Sequence, residues 1–248
     1  MEKILNNKIA IVTGASRGIG KAIALKLGRL GVTVIINYSK NTERAEKVVS
    51  EIENVGGQAF LYQADLSERG EAVKMFDKIL EKHKTVDILI NNASFRPFKK
   101  IVDITEKEFD FTFALNVKSL FFLCKQAALK MSQNGRIINI SSSSTKRMVS
   151  GFSLYLATKG AVEQLTKVLS KELGPKGITV NTVSPGFTDT EMLRKGRTQE
   201  DLNNLAASSA FGRLGQPRDI ANAVALLLAD EASWITGQNI CANGGIIA

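Results

Sequence analysis

Tyr155 and Lys159 stand four residues apart and are the pair in this sequence best suited to moving a proton. On a helix, side chains four residues apart share one face. A phenol has a pKa of about 10, so it exchanges protons poorly near neutrality unless a nearby cation stabilises the phenolate. The ammonium group of Lys159 is a candidate for that cation. The pair therefore predicts acid–base chemistry.

A glycine-rich segment near the start of the chain is a candidate phosphate site. It reads Thr13-Gly14-Ala15-Ser16-Arg17-Gly18-Ile19-Gly20. It follows a short apolar run and opens a helical pattern, so its backbone N–H groups and the helix N-terminus would face a pyrophosphate. The G-x-x-x-G-x-G spacing differs from the commoner G-x-G-x-x-G, and a glycine cluster alone is more often a turn. Its position between strand and helix favours a dinucleotide site.

The end of the second strand indicates which dinucleotide is preferred. The chain reads Tyr38-Ser39-Lys40 there, with no carboxylate to bond a ribose 2′-hydroxyl. Arg17, Ser39 and Lys40 could donate to a 2′-phosphate, which predicts NADPH over NADH. The alternative is that the two cations are solvated surface charges. Asp65 and Leu66 end the third strand near the expected adenine, although Asp65 or Ser67 could instead cap the next helix.

Short apolar runs alternate with amphipathic stretches along the chain. Strands are predicted at 8–13, 32–37, 59–65, 86–91, 136–141, 178–184 and 239–242. Helices are predicted at 18–30, 42–55, 71–83, 107–131, 153–173 and 219–228. This βαβ series predicts a single-domain α/β Rossmann fold over residues 1–248, with a doubly wound, mostly parallel seven-stranded sheet and helices on both faces. The irregular stretch 185–217 predicts a substrate lid at about 187–215.

Composition narrows the classes of protein. The chain of 248 residues has a net charge of +9, but its basic residues are scattered, which argues against nucleic-acid binding. No apolar run is long enough for a membrane span, and the first residues lack a signal-peptide pattern, so we expect a cytoplasmic protein. Cys124 and Cys241 are far apart, which predicts neither a disulfide nor a metal site.

The sequence resembles the short-chain dehydrogenase/reductase family over nearly its whole length. The resemblance rests on the segment 13–20, Asn91-Asn92-Ala93, Asn116, the serines at 141–144, Tyr155 to Lys159, and Pro185-Gly186. Within that family it is most similar to the 3-oxoacyl-[acyl-carrier-protein] reductases and related carbonyl reductases, including the ending Asn243-Gly244-Gly245. Six motifs in the family's order make this resemblance specific.

The resemblance implies roles for the catalytic candidates. Tyr155 would protonate the carbonyl oxygen, and Lys159 would also bind the nicotinamide ribose. The family's spacing points to Ser142 as the serine that orients the carbonyl, with Ser144 the competitor if strand alternation turns Ser141 and Ser143 away. Asn116 would hold a water that passes protons to Lys159, or it would simply be a packed asparagine that bonds to backbone.

The resemblance also implies further cofactor contacts. Asn91 and Ala93 would lie beside the cofactor ribose, and Pro185, Gly186 and Thr188 beside the nicotinamide carboxamide or pyrophosphate. Ser94 stands where the family has its next glycine, so the local backbone geometry is expected to differ from the family's pattern. The segment 95–98, Phe-Arg-Pro-Phe, follows at the expected mouth of the substrate site.

These features predict an NADPH-dependent reductase of a carbonyl. Related enoyl reductases place more than three residues between tyrosine and lysine, so reduction of a double bond is disfavoured. The alternative class of protein is a noncatalytic sensor that only binds NADPH. The presence of all four catalytic candidates, Ser142, Tyr155, Lys159 and Asn116, argues against it.

The substrate would be an acyl thioester on acyl carrier protein, as in fatty-acid synthesis, or a free ketone, sugar, steroid or polyphenol. Lys176 and Arg136 are candidates for docking an acidic carrier, although residues 132–134 beside them are uncharged. Family members are commonly homotetramers, and residues 121–123 and 162–169 are apolar stretches that could pack between subunits.

Overall fold

A seven-stranded parallel sheet runs through the centre of the protein, in a computed structural model that describes residues 5–247. The strands are β1 Ile9–Val12, β2 Thr33–Tyr38, β3 Gln58–Gln63, β4 Ile88–Asn91, β5 Arg136–Ile140, β6 Thr179–Pro185 and β7 Asn239–Ala242. Their order is β3-β2-β1-β4-β5-β6-β7, and every neighbouring pair is parallel. All seven predicted strands are confirmed, each within two residues of its predicted bounds.

Helices connect the strands, as the alternating pattern predicted. They are α1 Gly18–Arg29, α2 Thr42–Glu53, α3 Glu71–His83, α4 Glu106–Phe113, α5 Ser119–Lys130, α6 Ser153–Leu173, α7 Glu191–Arg194, α8 Gln199–Ala207 and α9 Pro217–Leu228. The single helix predicted at 107–131 is divided between α4 and α5 by a π-helical turn, Ala114–Lys118. None of the helices described between residues 5 and 247 is long and apolar enough to span a bilayer.

Two apolar layers cover the sheet. Strand residues alternate between them, because successive side chains point to opposite faces. Ala10 and Val12 pack in the layer formed with α1, α2 and α9, whereas Ile11 packs in the layer formed with α3, α5 and α6. This explains why β1 reads as a continuous apolar run: both of its faces are buried.

The strand order changes direction between β1 and β4. In open α/β sheets a ligand crevice forms at such a switch point, outside the carboxyl ends of the strands. The pairing of Val12 with Ile90 brings the segments after β1 and β4 side by side. The topology therefore places the glycine-rich segment and the Asn91-Asn92-Ala93 segment at one edge of the sheet.

The stretch after β6 is more regular than its composition indicated. It contains the two short helices α7 and α8, which the sequence did not predict. Its two ends are joined by backbone hydrogen bonds, from Gly215 N to Phe187 O at 2.9 Å and from Asp189 N to Gly215 O at 2.8 Å. The segment expected to form the lid is thus a loop whose two ends are held together at the edge of the cleft. Whether it opens and closes stays a prediction.

Candidate active site

A cleft of about 740 Å³ opens at the carboxyl ends of the strands. All but two of the residues predicted for the site line it. They are Gly14, Ser16, Arg17, Gly18, Ile19, Gly20, Tyr38, Ser39, Lys40, Asp65, Leu66, Ala93, Ser142, Tyr155, Lys159, Pro185, Gly186 and Thr188. Asn91 and Asn116 are not among the lining residues.

The glycine-rich segment makes a turn that only glycines fit. Gly14 has a φ of +61°, and a Cβ on it would lie 2.9 Å from the Ala93 Cα. A Cβ on Gly20 would lie 2.5 Å from the Gly14 carbonyl oxygen. The Asn92 amide holds the turn, since its Nδ2 donates to Thr13 O at 2.9 Å and to Gly14 O at 3.1 Å. The sequence did not indicate this role of Asn92, although the residue stands in the Asn91-Asn92-Ala93 motif.

Asn91 lies beneath the cleft rather than in it. Its Nδ2 donates to Asn139 Oδ1 at 2.8 Å, and the residue is 3% exposed. Because side chains alternate along a strand and its end, Asn91 points into the helix layer whereas Asn92 lines the cleft. The Asn91 side chain therefore does not face the cleft, and the expected place of this residue beside the cofactor ribose stays a prediction.

One corner of the cleft collects positive charge. Arg17, Lys40 and Arg44 line it, and Arg44 was missed because it lies on α2, away from every motif. Glu191, at the first position of α7, accepts hydrogen bonds from Arg17 Nη1 at 3.0 Å and Arg44 Nη1 at 2.9 Å. These bonds, from Arg44 and then Arg17, lower the pKa of the Glu191 carboxyl. A carboxylate of the segment 187–215 thus lies against the predicted phosphate-binding cations.

Asp65 and Leu66 line the same end of the cleft. Asp65 Oδ1 accepts from the Ser67 amide at 3.0 Å and from the Ser67 hydroxyl at 2.6 Å. Helix α3 begins only at Glu71, after Gly70, so neither Asp65 nor Ser67 is its N-cap. Asp65 instead closes a local turn.

Tyr155 lies in the first turn of α6 with its ring almost fully buried, at 8% exposure. Burial raises the pKa of its phenol to about 12. The positive charge of Arg96 opposes that rise most strongly, followed by the hydroxyls of Ser142 and Ser94. At neutral pH the phenol is therefore protonated, which suits a proton donor.

Lys159 is not the cation that acts most on the phenol. Its Nζ donates to the Ile140 carbonyl oxygen at 2.7 Å and lies 5.7 Å from the centre of the Tyr155 ring. Burial lowers the pKa of Lys159 itself to about 8, although the charge of Glu163 acts in the opposite direction. The expectation that Lys159 lowers the pKa of Tyr155 is corrected here: Arg96 does so.

The four consecutive serines, residues 141–144, have different surroundings in the structure. Ser141 donates to Glu163 Oε1 at 2.8 Å, and Ser143 is buried outside the cleft lining. Ser141 lines the cleft as well, against the alternation argument, which correctly predicted Ser142 and Ser144 there. Of these two, only the Ser142 hydroxyl acts on the Tyr155 phenol, and it also accepts from the Ser144 amide at 3.2 Å.

Asn116 sits in the π-helical turn and is 2% exposed. Its Oδ1 accepts from Phe95 N at 2.8 Å, and its Nδ2 donates to Phe95 O at 2.9 Å and to Thr158 Oγ1 at 3.0 Å. The side chain therefore fixes the backbone of the segment after β4, which matches the alternative of an asparagine bonded to backbone. Both Nδ2 hydrogens are used, whereas Oδ1 keeps a second lone pair, so the expected water contact stays a prediction.

The segments after β4 and β6 close the cleft. A Cβ on Gly186 would lie 2.8 Å from Asn243 backbone atoms, which leaves room only for glycine. Thr188 donates to Gly186 O at 3.1 Å. Ser94, Phe95 and Arg96 line the opposite wall, so the departure from the family's glycine places a hydroxyl in the site.

Comparison with known proteins agrees with this geometry. The family model described as "Enoyl-(Acyl carrier protein) reductase" matches residues 14–247. The chain is 40% identical to the short chain dehydrogenase/reductase nsrJ of Aspergillus novofumigatus, over 97% of this chain and 96% of that one. It is 41% identical to an NADPH-dependent aldehyde reductase-like protein, chloroplastic, of Arabidopsis thaliana, over 98% of this chain and 95% of that one.

A solved structure is similarly close. The angucycline C-6 ketoreductase LanV with bound NADP has a TM-score of 0.93 and 38% identity, and the match covers 99% of this chain and 98% of that one. The chain belongs to the short-chain dehydrogenase/reductase family. It is thus an oxidoreductase with a Rossmann fold.

Proposed function

We propose that this protein is an NADPH-dependent ketoreductase that converts a carbonyl group of a small molecule to an alcohol. The observation that carries the proposal is the position of the Tyr155 phenol. It is buried and protonated in the same cleft as the glycine turn, with the Ser142 hydroxyl beside it. A proton donor and a dinucleotide site in one cleft are what carbonyl reduction requires.

The residues of the cleft fit a dinucleotide. Its volume of about 740 Å³ is in the range of cofactor sites, and Gly14 and Gly20 leave no room for side chains where a backbone must come close. NADPH, when bound, supplies the hydride. Arg17, Lys40 and Arg44 would hold its 2′-phosphate, and no carboxylate stands at residues 38–40 to bond a free ribose hydroxyl.

The chain's own groups account for the proton. The carbonyl oxygen accepts hydrogen bonds from Ser142 and Tyr155, which orient it and favour negative charge on it. Tyr155 then transfers its proton to that oxygen. The charge of Arg96 favours the phenolate that remains, and Lys159 binds the nicotinamide ribose. Asn116 positions Phe95 rather than touching the reacting atoms.

A free carbonyl compound is favoured over a carrier-bound thioester. Arg136 begins β5, about 13 Å along the strand from the cleft end at Ile140, and its own exposure is 7%. Lys176 donates to Ala128 O at 2.5 Å near the same far end of the sheet. Neither residue lies beside the mouth. The similarity to the ketoreductase LanV also favours a small ketone.

We also expect the homotetramer that the family resemblance implies. Leu123 and Val162, within the two proposed packing stretches, are buried in the core, whereas Phe121 and Val168 are 48% and 55% exposed. The exposed pair supports helix faces available to other subunits. Light scattering measures the mass directly.

The test is NADPH oxidation with free ketones, aldehydes and diketones, beside an acetoacetyl thioester on carrier protein. We expect turnover of free carbonyls and a loss of about 10²-fold or more in kcat for Tyr155→Phe. NADPH affinity, from nucleotide fluorescence, is the control for folding of the variant. Preferred turnover of the thioester would support carrier-bound substrates instead. NADPH binding without turnover would indicate the noncatalytic sensor.

A further inference from the structure

A buried polar group of Arg96 has no partner in the cleft. Among residues 5–247, six buried side-chain polar atoms lack a well-formed hydrogen bond, and two of these, Arg96 Nε and Ser94 Oγ, belong to residues of the cleft wall that follow β4. The Ser94 hydroxyl acts only on the Tyr155 phenol, whereas Arg96 Nε has no hydrogen-bond partner among the described residues. Buried polar groups are nearly always satisfied in folded proteins, so an unsatisfied guanidinium nitrogen in a binding cleft points to a ligand that satisfies it.

Arg96 carries a charge that the protein does not neutralise. No carboxylate of the described residues 5–247 lies within ion-pair distance of it. Of its five N–H donors, one is used in a hydrogen bond, from Nη2 to Met192 O at 2.5 Å. Burial lowers its pKa, and the nearby charge of Arg197 lowers it further. An anion that entered the cleft would relieve this unpaired charge.

The guanidinium is also close to the reacting centre. Its Cζ lies 5.3 Å from the centre of the Phe152 ring, and the centre of the Tyr155 ring lies 5.9 Å from that same point. An anionic oxygen held by Arg96 would therefore sit on the same small molecule as the carbonyl that Tyr155 protonates.

We propose that Arg96, with the Ser94 hydroxyl, selects substrates that carry an anionic oxygen close to the reacting carbonyl, either a carboxylate or an ionised phenol or enol. This inference rests on the proposed ketoreductase function and names its substrate class. A guanidinium binds such oxygens through charge-assisted hydrogen bonds. A carrier-bound 3-oxoacyl thioester has neither a carboxylate nor a phenol beside its reacting carbonyl.

Arg96 also contacts Met192 in the segment between β6 and α9, so a purely structural role must be separated from selection. A structural role would lower turnover of all substrates alike. Selection would lower turnover of anionic substrates more than that of neutral ones with the same carbonyl.

The kinetic test uses two matched pairs: acetoacetate with methyl acetoacetate, and 2-hydroxy-1,4-naphthoquinone with its methyl ether. We expect the wild type to prefer at least one anion over its neutral partner in kcat/KM by about tenfold or more. Arg96→Gln should remove that preference, mainly through KM, and Arg96→Lys should restore part of it. The pair that shows the preference identifies the carboxylate or the ionised hydroxyl.

Arg147→Gln is the matched control. Arg147 lies with its Cζ 5.6 Å from the centre of the Phe187 ring at the mouth but does not line the cleft. Arg147→Gln changes the net charge of the protein by the same amount as Arg96→Gln. The preference for the anionic substrate should therefore survive in this variant. A wild type without preference for either anion would overturn the proposal, as would a preference that Arg96→Gln retains.

A binding test separates this inference from the ketoreductase function. Calorimetry on the NADP⁺-loaded protein would compare benzoate with benzamide and 4-nitrophenolate with 4-nitroanisole, none of which needs to react. We expect at least one anion to bind more tightly than its neutral partner, and Arg96→Gln to abolish the difference. Anion binding without carbonyl turnover would refute only the ketoreductase function. Equal binding within both pairs would refute the role of Arg96.

Discussion

Lys159 Nζ donates a 2.7 Å hydrogen bond to the carbonyl oxygen of Ile140, the last residue of β5. This bond holds a lysine that lines the cleft but is only 3% exposed. Burial lowers its pKa to about 8, because few groups replace the water lost by the ammonium. At neutral pH the lysine is therefore still mostly charged, but by a smaller margin than a free lysine.

The depressed pKa of Lys159 predicts how stability depends on pH. Above about pH 8 the folded state binds fewer protons at this residue than the unfolded state, so the free energy of unfolding should rise between about pH 8 and 10.5. The difference between those pKa values corresponds to about 3 kcal/mol. Urea denaturation of the cofactor-free protein, compared with Lys159→Met at each pH, isolates this contribution. A wild-type-minus-variant difference that is flat over this range would contradict it.

Ser142 and Ser144 both line the cleft, and only Ser142 acts on the phenol. Ser142→Ala should lower kcat by about 10²-fold, since it removes an oriented donor to the developing oxyanion. Ser144→Ala should lower it by less than about threefold because the Ser144 contact to Ser142 is made by its backbone amide. Steady-state kinetics on a turned-over ketone decides between them. Equal losses in the two variants would show that the serine assignment is wrong.

Arg44 and Glu191 should have opposite effects on cofactor choice. Arg44→Gln removes a donor to the expected 2′-phosphate and should weaken NADPH binding by about two- to fivefold, with little effect on NADH. Glu191→Gln removes a negative charge held 2.9 Å from Arg44 and should strengthen NADPH binding. Both effects should shrink at high salt, because the groups are exposed.

Fluorescence titrations of both nucleotides at low and high salt measure these affinities. Lys167→Gln, an exposed residue of α6 that does not line the cleft, controls for net charge. Equal changes for NADPH and NADH in Arg44→Gln would place the 2′-phosphate elsewhere.

Gly20→Ala should destabilise the protein and weaken nucleotide binding. The added Cβ would lie 2.5 Å from the Gly14 carbonyl oxygen, and that oxygen is backbone, so the turn itself must move. We expect a loss of about 1–3 kcal/mol in the free energy of unfolding. Gly160→Ala is the matched control in α6, where a Cβ would meet nothing within 4 Å, and it should be neutral or stabilising by up to about 1 kcal/mol. Thermal melts measure the melting temperatures of the two variants and of the wild type. An unchanged melting temperature for Gly20→Ala would refute the steric argument.

The sequence by itself determined the order and type of the main elements. Apolar runs such as Ile9–Val12 are buried on both faces, and the long amphipathic stretch Ser153–Leu173 has the helical period, so local pattern and tertiary environment agree. The glycine turn and the Tyr155–Lys159 pair were readable because backbone conformation and helix spacing depend on neighbours in the chain.

Only the tertiary structure decided which distant groups meet. It directed Asn91 beneath the cleft and Asn92 into it, and it brought Arg96 to a position where its charge opposes the rise in the pKa of the phenol. Electrostatic effects on a pKa depend on burial and on distances through space. The Glu191 contact with Arg44, across 147 residues of chain, depends on the same packing, which spacing along the sequence does not encode.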